Sequence, residues 1–428
     1  MLRLAVDVKR GEVAALLWSF AYFFSLLCGY YVLRPIRDEM GIAGGTRALP
    51  WLFTGTFIAM LCVVPLFGWV VKNYRRSQFI PFVYWFFVAN ILGFWALFHF
   101  DFERVHIARA FFIWTSVYNL FVVSVFWSFM ADIFRSEQGK RLFGFIAAGG
   151  TAGTIVGPAL TVQLSVEIDP TNLMLISAAL LSFAIQCVKQ LMRTSVATTA
   201  VSHAGDMDAE PGVIGGSIFA GISEAVKSPY LLGICLFMLL FTTTSTVLYF
   251  EQAEIVRDAF SSSGERTRVF AAIDLAVSTL TILCQLLLTG RIVKTFGVTV
   301  TLMVLPVITI LGFTALAMAP TIALLIGFQI VRRSSDYAVT RPAREVLYTV
   351  ISREQKYKAK NFIDTVVYRG GDAVSGWAYD GLSRGLGLDV ATIALLCVPV
   401  GFLWLAVAWG LGRKQDKLVS HNQAAATT

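Results

Sequence analysis

Charge is scarce in this sequence. Asp, Glu, Lys and Arg together supply 14% of its 428 residues, against roughly 25% in soluble globular domains. No P-loop, HExxH pair or CxxC motif occurs. The six cysteines (Cys28, Cys62, Cys187, Cys235, Cys284, Cys397) all lie inside apolar runs. That distribution argues against a disulfide framework or a zinc cluster. The four histidines (His99, His106, His203, His421) are scattered at run edges, in a polar segment and in the tail, and read as interfacial or solvated residues. No catalytic constellation, resident cofactor or metal site emerges, and an enzyme is not expected.

What the sequence has in excess is apolar surface. Hydrophobic residues make up 57% of the chain, with 34 Phe, 13 Tyr and 10 Trp, a composition suited to lipid-facing surfaces and interfacial belts. Runs of about 20 residues, the length that crosses a hydrocarbon core of about 30 Å, fall at 13–33, 50–71, 79–99, 109–131, 142–165 and 172–192. After a polar stretch, six more follow at 229–250, 268–288, 298–319, 321–340, 359–381 and 390–411. The first run follows basic residues, like a signal peptide, but is too long for a signal core and has no Ala-x-Ala cleavage site after it. It is read as a retained helix.

The net charge of +8 has a topological explanation and does not point to nucleic acid. With the N-terminus in the cytoplasm, a single alternating topology puts 25 of the 35 Lys and Arg, including every lysine, on the cytoplasmic side. The positive-inside rule then places both termini there, and the bacterial inner membrane is the expected location. The expected organisation is a six-helix bundle over 1–192, a cytoplasmic linker over 193–228, a second six-helix bundle over 229–411 and a cytoplasmic tail over 412–428.

An internal repeat supports the two-half reading. Gly68-Trp69-Val70-Val71-Lys72 resembles Gly290-Arg291-Ile292-Val293-Lys294, and Gly149-Gly150-Thr151-Ala152 answers Gly370-Gly371-Asp372-Ala373 at nearly the same offset. Each match lies in the corresponding span of its half. An all-α membrane protein of twelve transmembrane helices, in two pseudo-symmetric six-helix halves, resembles the major facilitator superfamily. Gly68 followed by Lys72, Arg75 and Arg76 is similar to that superfamily's loop after span two, without its acidic residue. In span five, Gly149, Gly153 and Gly157 recur every four residues on one helix face. They read as a close-packing surface, although Gly157-Pro158 also resembles a kinked antiporter motif.

Intramembrane charge is costly and usually faces a cavity or a partner. Arg34 and Arg37, one turn apart at the end of the first run, share a helix face and can grip an anion together. Asp38 lies at (i, i+4) from Arg34 and can instead neutralise it, with Pro35 allowing a break and an external salt-bridge cluster. In span ten, Arg332, Arg333 and Asp336 precede Arg341-Pro342-Ala343-Arg344-Glu345, where Pro342 is expected to turn the chain towards a surface helix. Span eleven carries Asp364, then Arg369 and Asp372 at pairing distance (i, i+3). Asp274 in span eight reads either as a proton or gating residue or as an outer-interface residue. Glu251 and Glu254 read as interfacial.

Two of these stretches carry a more specific resemblance. Tyr31, Leu33, Arg34, Arg37 and Asp38 form one. Tyr337 through Pro342-Ala343-Arg344-Glu345 and Tyr348 to Lys358, Lys360, Asp364 and Arg369 form the other. Together they resemble the nucleotide translocases of the ATP/ADP antiporter kind. The resemblance implies exchange of nucleotides whose phosphates meet basic residues in the helices. It puts Arg37 and Arg344 at lysine positions of that family and Glu345 at a matching glutamate, while Arg341 stands where the family carries an acid. A planar guanidinium fork in place of an ammonium changes the geometry of phosphate contact.

The expectation is therefore a secondary transporter for a small anionic, nucleotide-like solute, working by alternating access. Arg34, Arg37, Arg344 and Arg369 are the candidate substrate contacts. Asp38, Asp274, Glu345, Asp364 and Asp372 are the candidate gating or ion-coupling groups. A rival reading is a proton-coupled facilitator of a peptide, sugar derivative or drug, with Asp274, Asp364 and Asp372 carrying the proton. A non-transporting membrane scaffold is a further rival, disfavoured by the short linker and tail.

Overall fold

The computed structural model describes residues 12–73, 76–134, 136–199 and 228–427, and within them it is all-helical. Helices α1 (Val13–Ala43), α2 (Leu49–Asn73), α3 (Arg76–His99), α4 (Arg104–Ile133), α5 (Ser136–Leu164) and α6 (Leu173–Thr199) form the first half. Helices α7 (Pro229–Ala259), α8 (Ser263–Cys284), α9 (Gly290–Met318), α10 (Ile322–Ser335), α11 (Arg341–Leu347), α12 (Arg353–Phe362), α13 (Tyr368–Asp380) and α14 (Val390–Thr427) form the second. Ten of these rods are long and apolar enough to cross a membrane. The two other expected spans are interrupted. A π turn over Asp336–Thr340 joins α10 to α11, and π turns over Ile363–Val367 and Gly381–Gly385 flank α13. Parts of the expected glycine-basic loops, at Tyr74, Arg75 and the side chains of 67–72 and 288–294, lie outside the described residues, as does most of the expected linker.

The helices run past the apolar runs because a hydrogen-bonded rod has no reason to stop where lipid does. The clearest case is α1, expected to end at Leu33 but continuous through Pro35 to Ala43. An interior proline costs about 3 kcal/mol by removing one backbone hydrogen bond and crowding the preceding turn. Here the flanking Leu33, Ile36 and Met40 are fully buried, and that burial holds the helix through the proline. Pro342 also leaves the chain helical, contrary to the expected turn. It sits at the first turn of α11, directly after a π turn, where its missing N–H is not needed.

Contacts divide the chain into two compact units. One comprises Met1–Gly45, Cys62–Glu210 and Phe260–Leu275, and the other Thr46–Leu61, Pro211–Ala259 and Ala276–Thr428. Each unit thus takes most of one half and the opening turns of one helix from the other, α8 in the first case and α2 in the second. Spans two and eight are equivalent positions in the sequence repeat.

In the first unit, α1 is the central rod, packed by α5, α6 and α4. The glycine stripe of α5 makes the closest approach. A Cβ on Gly149 would lie 2.5 Å from the Phe20 carbonyl oxygen, on Gly153 2.6 Å from that of Phe24, and on Gly157 2.6 Å from that of Cys28. The stripe is a backbone-to-backbone contact with α1, the packing role its spacing indicates. In the second unit, α7 is packed by α13 and α14, and α9 by α14. Gly371, the repeat partner of Gly150, faces α7: a Cβ there would meet Thr242 Oγ1 at 2.4 Å.

Candidate functional site

In the first unit the charges gather at the end of α1 beyond its apolar run. Arg34 Nε lies 3.5 Å from Asp274 Oδ2 of α8, with side chains 18% and 2% exposed. Its guanidinium also stands 5.6 Å from the centre of the Tyr31 ring. Arg37, one turn on, pairs with Asp38 at 3.7 Å and places its guanidinium 4.3 Å from the Phe112 ring centre on α4, at cation–π distance. Beside the local pairing of Arg34 with Asp38 that the spacing allows, the structure thus pairs Arg34 with Asp274 and Arg37 with Asp38. Asp274 is nearly fully buried as Arg34's partner.

Directly after these, Glu39 is fully buried. It accepts two hydrogen bonds from Arg266, Nε to Oε2 and Nη2 to Oε1, both 2.7 Å. The same guanidinium donates through Nη1 to the carbonyls of Phe260 and Ser261 at 3.1 and 2.9 Å. Arg266 was not legible as a functional residue, since it follows the polar run Ser261–Ser263 and looks like loop.

In the second unit, Arg369 Nη1 and Asp372 Oδ2 are 3.6 Å apart, the pair the (i, i+3) spacing indicates. Thr246 of α7 donates to the other oxygen of Asp372 at 3.1 Å. Arg344 donates to Met238 Sδ at 3.0 Å, a soft and weak acceptor. Glu345 accepts two bonds from Lys360, at 2.7 and 2.6 Å, joining α11 to α12. Asp364 lies exposed in the π turn Ile363–Val367. Arg341 is engaged by Asp336 at 3.0 Å.

Arg332 is the deepest cation described. Its side chain is almost wholly buried, and it donates to Ser245 Oγ, Phe241 O and Thr244 Oγ1 of α7 at 3.2–3.3 Å. It joins α10 to α7. Glu251, read as interfacial from its place at the end of span seven, is completely buried within the protein.

Three of the four described π turns, all but Gln285–Thr289, fall in this charged stretch of the second unit. Such turns open the regular hydrogen-bond ladder and frequently mark functional positions. Ten membrane-length rods, with paired arginines inside apolar helices, describe a multi-pass membrane protein. Several solved structures of transporters have a similar fold. A nucleoside transporter, NupG, superposes with a TM-score of 0.64 over 96% of this chain and 99% of its own at 13% identity. A bacterial homologue of the iron transporter ferroportin, in an inward-facing state, gives 0.68 over 94% and 98% at 10% identity. The POT family transporter PepTSo gives 0.66 over 96% and 99% at 13% identity. The chain shares the fold of these structures.

The family follows from sequence. The model of the TLC ATP/ADP transporter family matches residues 110–414, and the chain belongs to that family. ADP,ATP carrier protein 1 of Chlamydia muridarum is 21% identical over 479 aligned positions, covering 95% of this chain and 89% of the carrier. ADP,ATP carrier protein 2 of Chlamydia pneumoniae is also 21% identical, over 95% and 90%.

Proposed function

We propose that this protein exchanges a nucleotide-like, phosphorylated anion, of the ATP/ADP type, across the bacterial inner membrane by alternating access. Both termini are cytoplasmic in this reading. The interrupted rods α10–α11 and α12–α13 complete twelve spans in two six-helix halves, 1–192 and 229–411. Arg34 and Arg37 serve as phosphate contacts in the first unit, and Arg344 and Arg369 in the second. Asp38, Asp274, Glu345, Asp364 and Asp372 hold these cations, or the helices that carry them, until solute arrives. The protein acts as a carrier and leaves the solute chemically unchanged.

The observation that carries this reading is the contrast between arginines on α1 and α8. Arg266 is clamped by Glu39 at 2.7 Å through two bonds, whereas the ion pairs of Arg34 and Arg37 are longer, at 3.5 and 3.7 Å. A phosphate offers several charged acceptors and forms shorter charge-assisted bonds of about 2.7–2.9 Å, so it competes well with these two longer ion pairs. The match to chlamydial ADP,ATP carriers over 95% of the chain supports a nucleotide as the solute.

The test is ligand-dependent thermal stability of the purified protein against ATP, ADP, other nucleotides, inorganic phosphate and sugar phosphates. A ligand of the folded state adds about 2.7 kcal/mol at a hundredfold excess over Kd. Nucleotide-dependent stabilisation, followed by ATP/ADP counterflow in proteoliposomes, is the expected result. Stabilisation by none of the nucleotides at millimolar concentration overturns the assignment.

A further inference from the structure

One carboxyl group in the second unit has surroundings that do not suit a charge. Glu251 of α7 is completely buried, and among the described residues neither of its side-chain oxygens has a hydrogen-bond partner. The helices and turns against α7 are α13, α14, α10, the π turn Ile363–Val367 and the short 3-10 turn Thr46–Ala48. Their ionisable groups are engaged elsewhere or exposed. On α13, Asp372 is held by Thr246 and Arg369, Tyr379 donates to Glu254 at 3.1 Å, and Asp380 pairs with Arg384. On α10, Arg332 is spent on Ser245, Phe241 and Thr244. On α14 the neighbour is the buried thiol Cys397. Asp364 and Arg47, on the two turns, are exposed. On α7 itself Arg257 donates to Asp258 and Thr46. Glu254, one turn away on α7, carries a charge of the same sign.

An ionised carboxylate placed there would have no donor, no counterion and a like charge beside it, in a protein interior surrounded by lipid. Such an arrangement costs several kcal/mol, and the neutral acid avoids most of it. The carboxylates whose spacing drew attention as proton carriers are differently placed. Asp274 and Asp372 each face an arginine, so their charge is compensated where they stand, and Asp364 is exposed.

We propose that Glu251 is a proton-binding site of the transport cycle. It is the neutral acid in this conformation and ionises when α7 parts from the helices that cover it and water reaches the side chain. A proton taken from water on one side is bound on a Glu251 oxygen and returned to water on the other, with no other bond made or broken. Solute movement is thereby linked to proton movement. The link rests on the transporter reading, but the protonation of Glu251 can be read out without any solute.

The test has two arms on the full-length protein. In the first, infrared difference spectra across a pH titration, in H2O and D2O, follow the carboxylic acid C=O stretch of protein in lipid. A D2O-sensitive acid band present in the wild type, lost in Glu251→Gln and shifted but retained in Glu251→Asp, is expected. Spectra of Glu251→Gln identical to wild type overturn the proposal. Gel filtration and thermal unfolding of both variants establish that they are folded, and should Glu251→Gln not fold, the displaced band of Glu251→Asp decides alone. In the second arm, radiolabelled ATP is offered to proteoliposomes under an imposed pH gradient. Accumulation that collapses with the gradient, and is lost in Glu251→Gln while ATP/ADP counterflow persists, is expected. Wild-type accumulation indifferent to the gradient overturns the link. If wild type moves no ATP at all, the nucleotide assignment fails, and the infrared arm still decides whether Glu251 binds the proton.

Discussion

Glu39 and Arg266 are 227 residues apart in sequence and meet through two hydrogen bonds of 2.7 Å each. The glutamate is fully buried and the arginine nearly so, which makes this pair a tie between α1 and the opening turns of α8. Removing one partner strands a buried charge, which costs about 3–5 kcal/mol, whereas replacing both by apolar groups of similar volume costs far less. Arg266→Met alone is expected to lower the thermal midpoint sharply, and Glu39→Leu combined with Arg266→Met to recover most of the loss. A double variant as unstable as the single one refutes this account of the pair.

Arg37 stands 4.3 Å from the Phe112 ring centre and 3.7 Å from Asp38. Arg37→Gln is expected to abolish ATP uptake and nucleotide-dependent stabilisation in a protein that still folds, as gel filtration and a cooperative thermal transition establish. Arg37→Lys keeps a positive charge and is expected to retain measurable uptake. Unchanged uptake by Arg37→Gln removes this residue from the solute path.

The packing of α5 on α1 makes a sharper structural prediction. A Cβ on Gly153 would meet the Phe24 carbonyl oxygen at 2.6 Å and the Cys28 nitrogen at 2.7 Å, backbone atoms that can yield only if the helices separate. Overpacking of this kind costs about 1–3 kcal/mol or more. Gly144, on the same helix, has open space where its Cβ would go, and alanine there is the better helix former by roughly 0.5–1 kcal/mol. Thermal unfolding should show Gly153→Ala destabilised and Gly144→Ala neutral or stabilised.

Glu345 and Lys360 are bonded at 2.6–2.7 Å but their side chains are 47% and 34% exposed. Exposed pairs contribute about 0–1 kcal/mol, so Glu345→Gln is expected to leave stability almost unchanged. A fall in ATP/ADP counterflow in that variant would then report on the transport cycle itself. Counterflow equal to wild type assigns the pair to the surface alone.

Much of the fold is visible in residue order because lipid imposes a simple rule. A chain crossing a hydrocarbon layer must satisfy every backbone group within itself, so helices follow wherever about twenty apolar residues run together. The small-residue face of α5 was equally legible, since glycines four apart share a face whatever surrounds them. The expected ends were less faithful. Leu33 looked like the end of α1 because charge follows it, yet Arg34, Arg37, Asp38 and Glu39 continue the helix with partners that the sequence does not pair.

The candidate site divides along the same line. Arg369 with Asp372 was readable, because three residues on a helix bring two side chains to one face. Arg34 with Asp274, Glu39 with Arg266 and Arg332 with the hydroxyls of α7 were not, because each joins residues brought together only by helix packing. Glu251 is the strongest case: one turn from Glu254 near a helix end, it has the spacing of an interfacial acid, and only the cover of α13 and α14 removes it from water. The sequence by itself determined the membrane class, the helical rods, the repeat and the family, all of which rest on local composition and spacing. Tertiary structure alone decided which charges meet, at what distance, and which carboxyl group has no hydrogen-bond partner among the described residues. Electrostatic cost depends on the distance to opposite charge and to water, and residue order specifies neither.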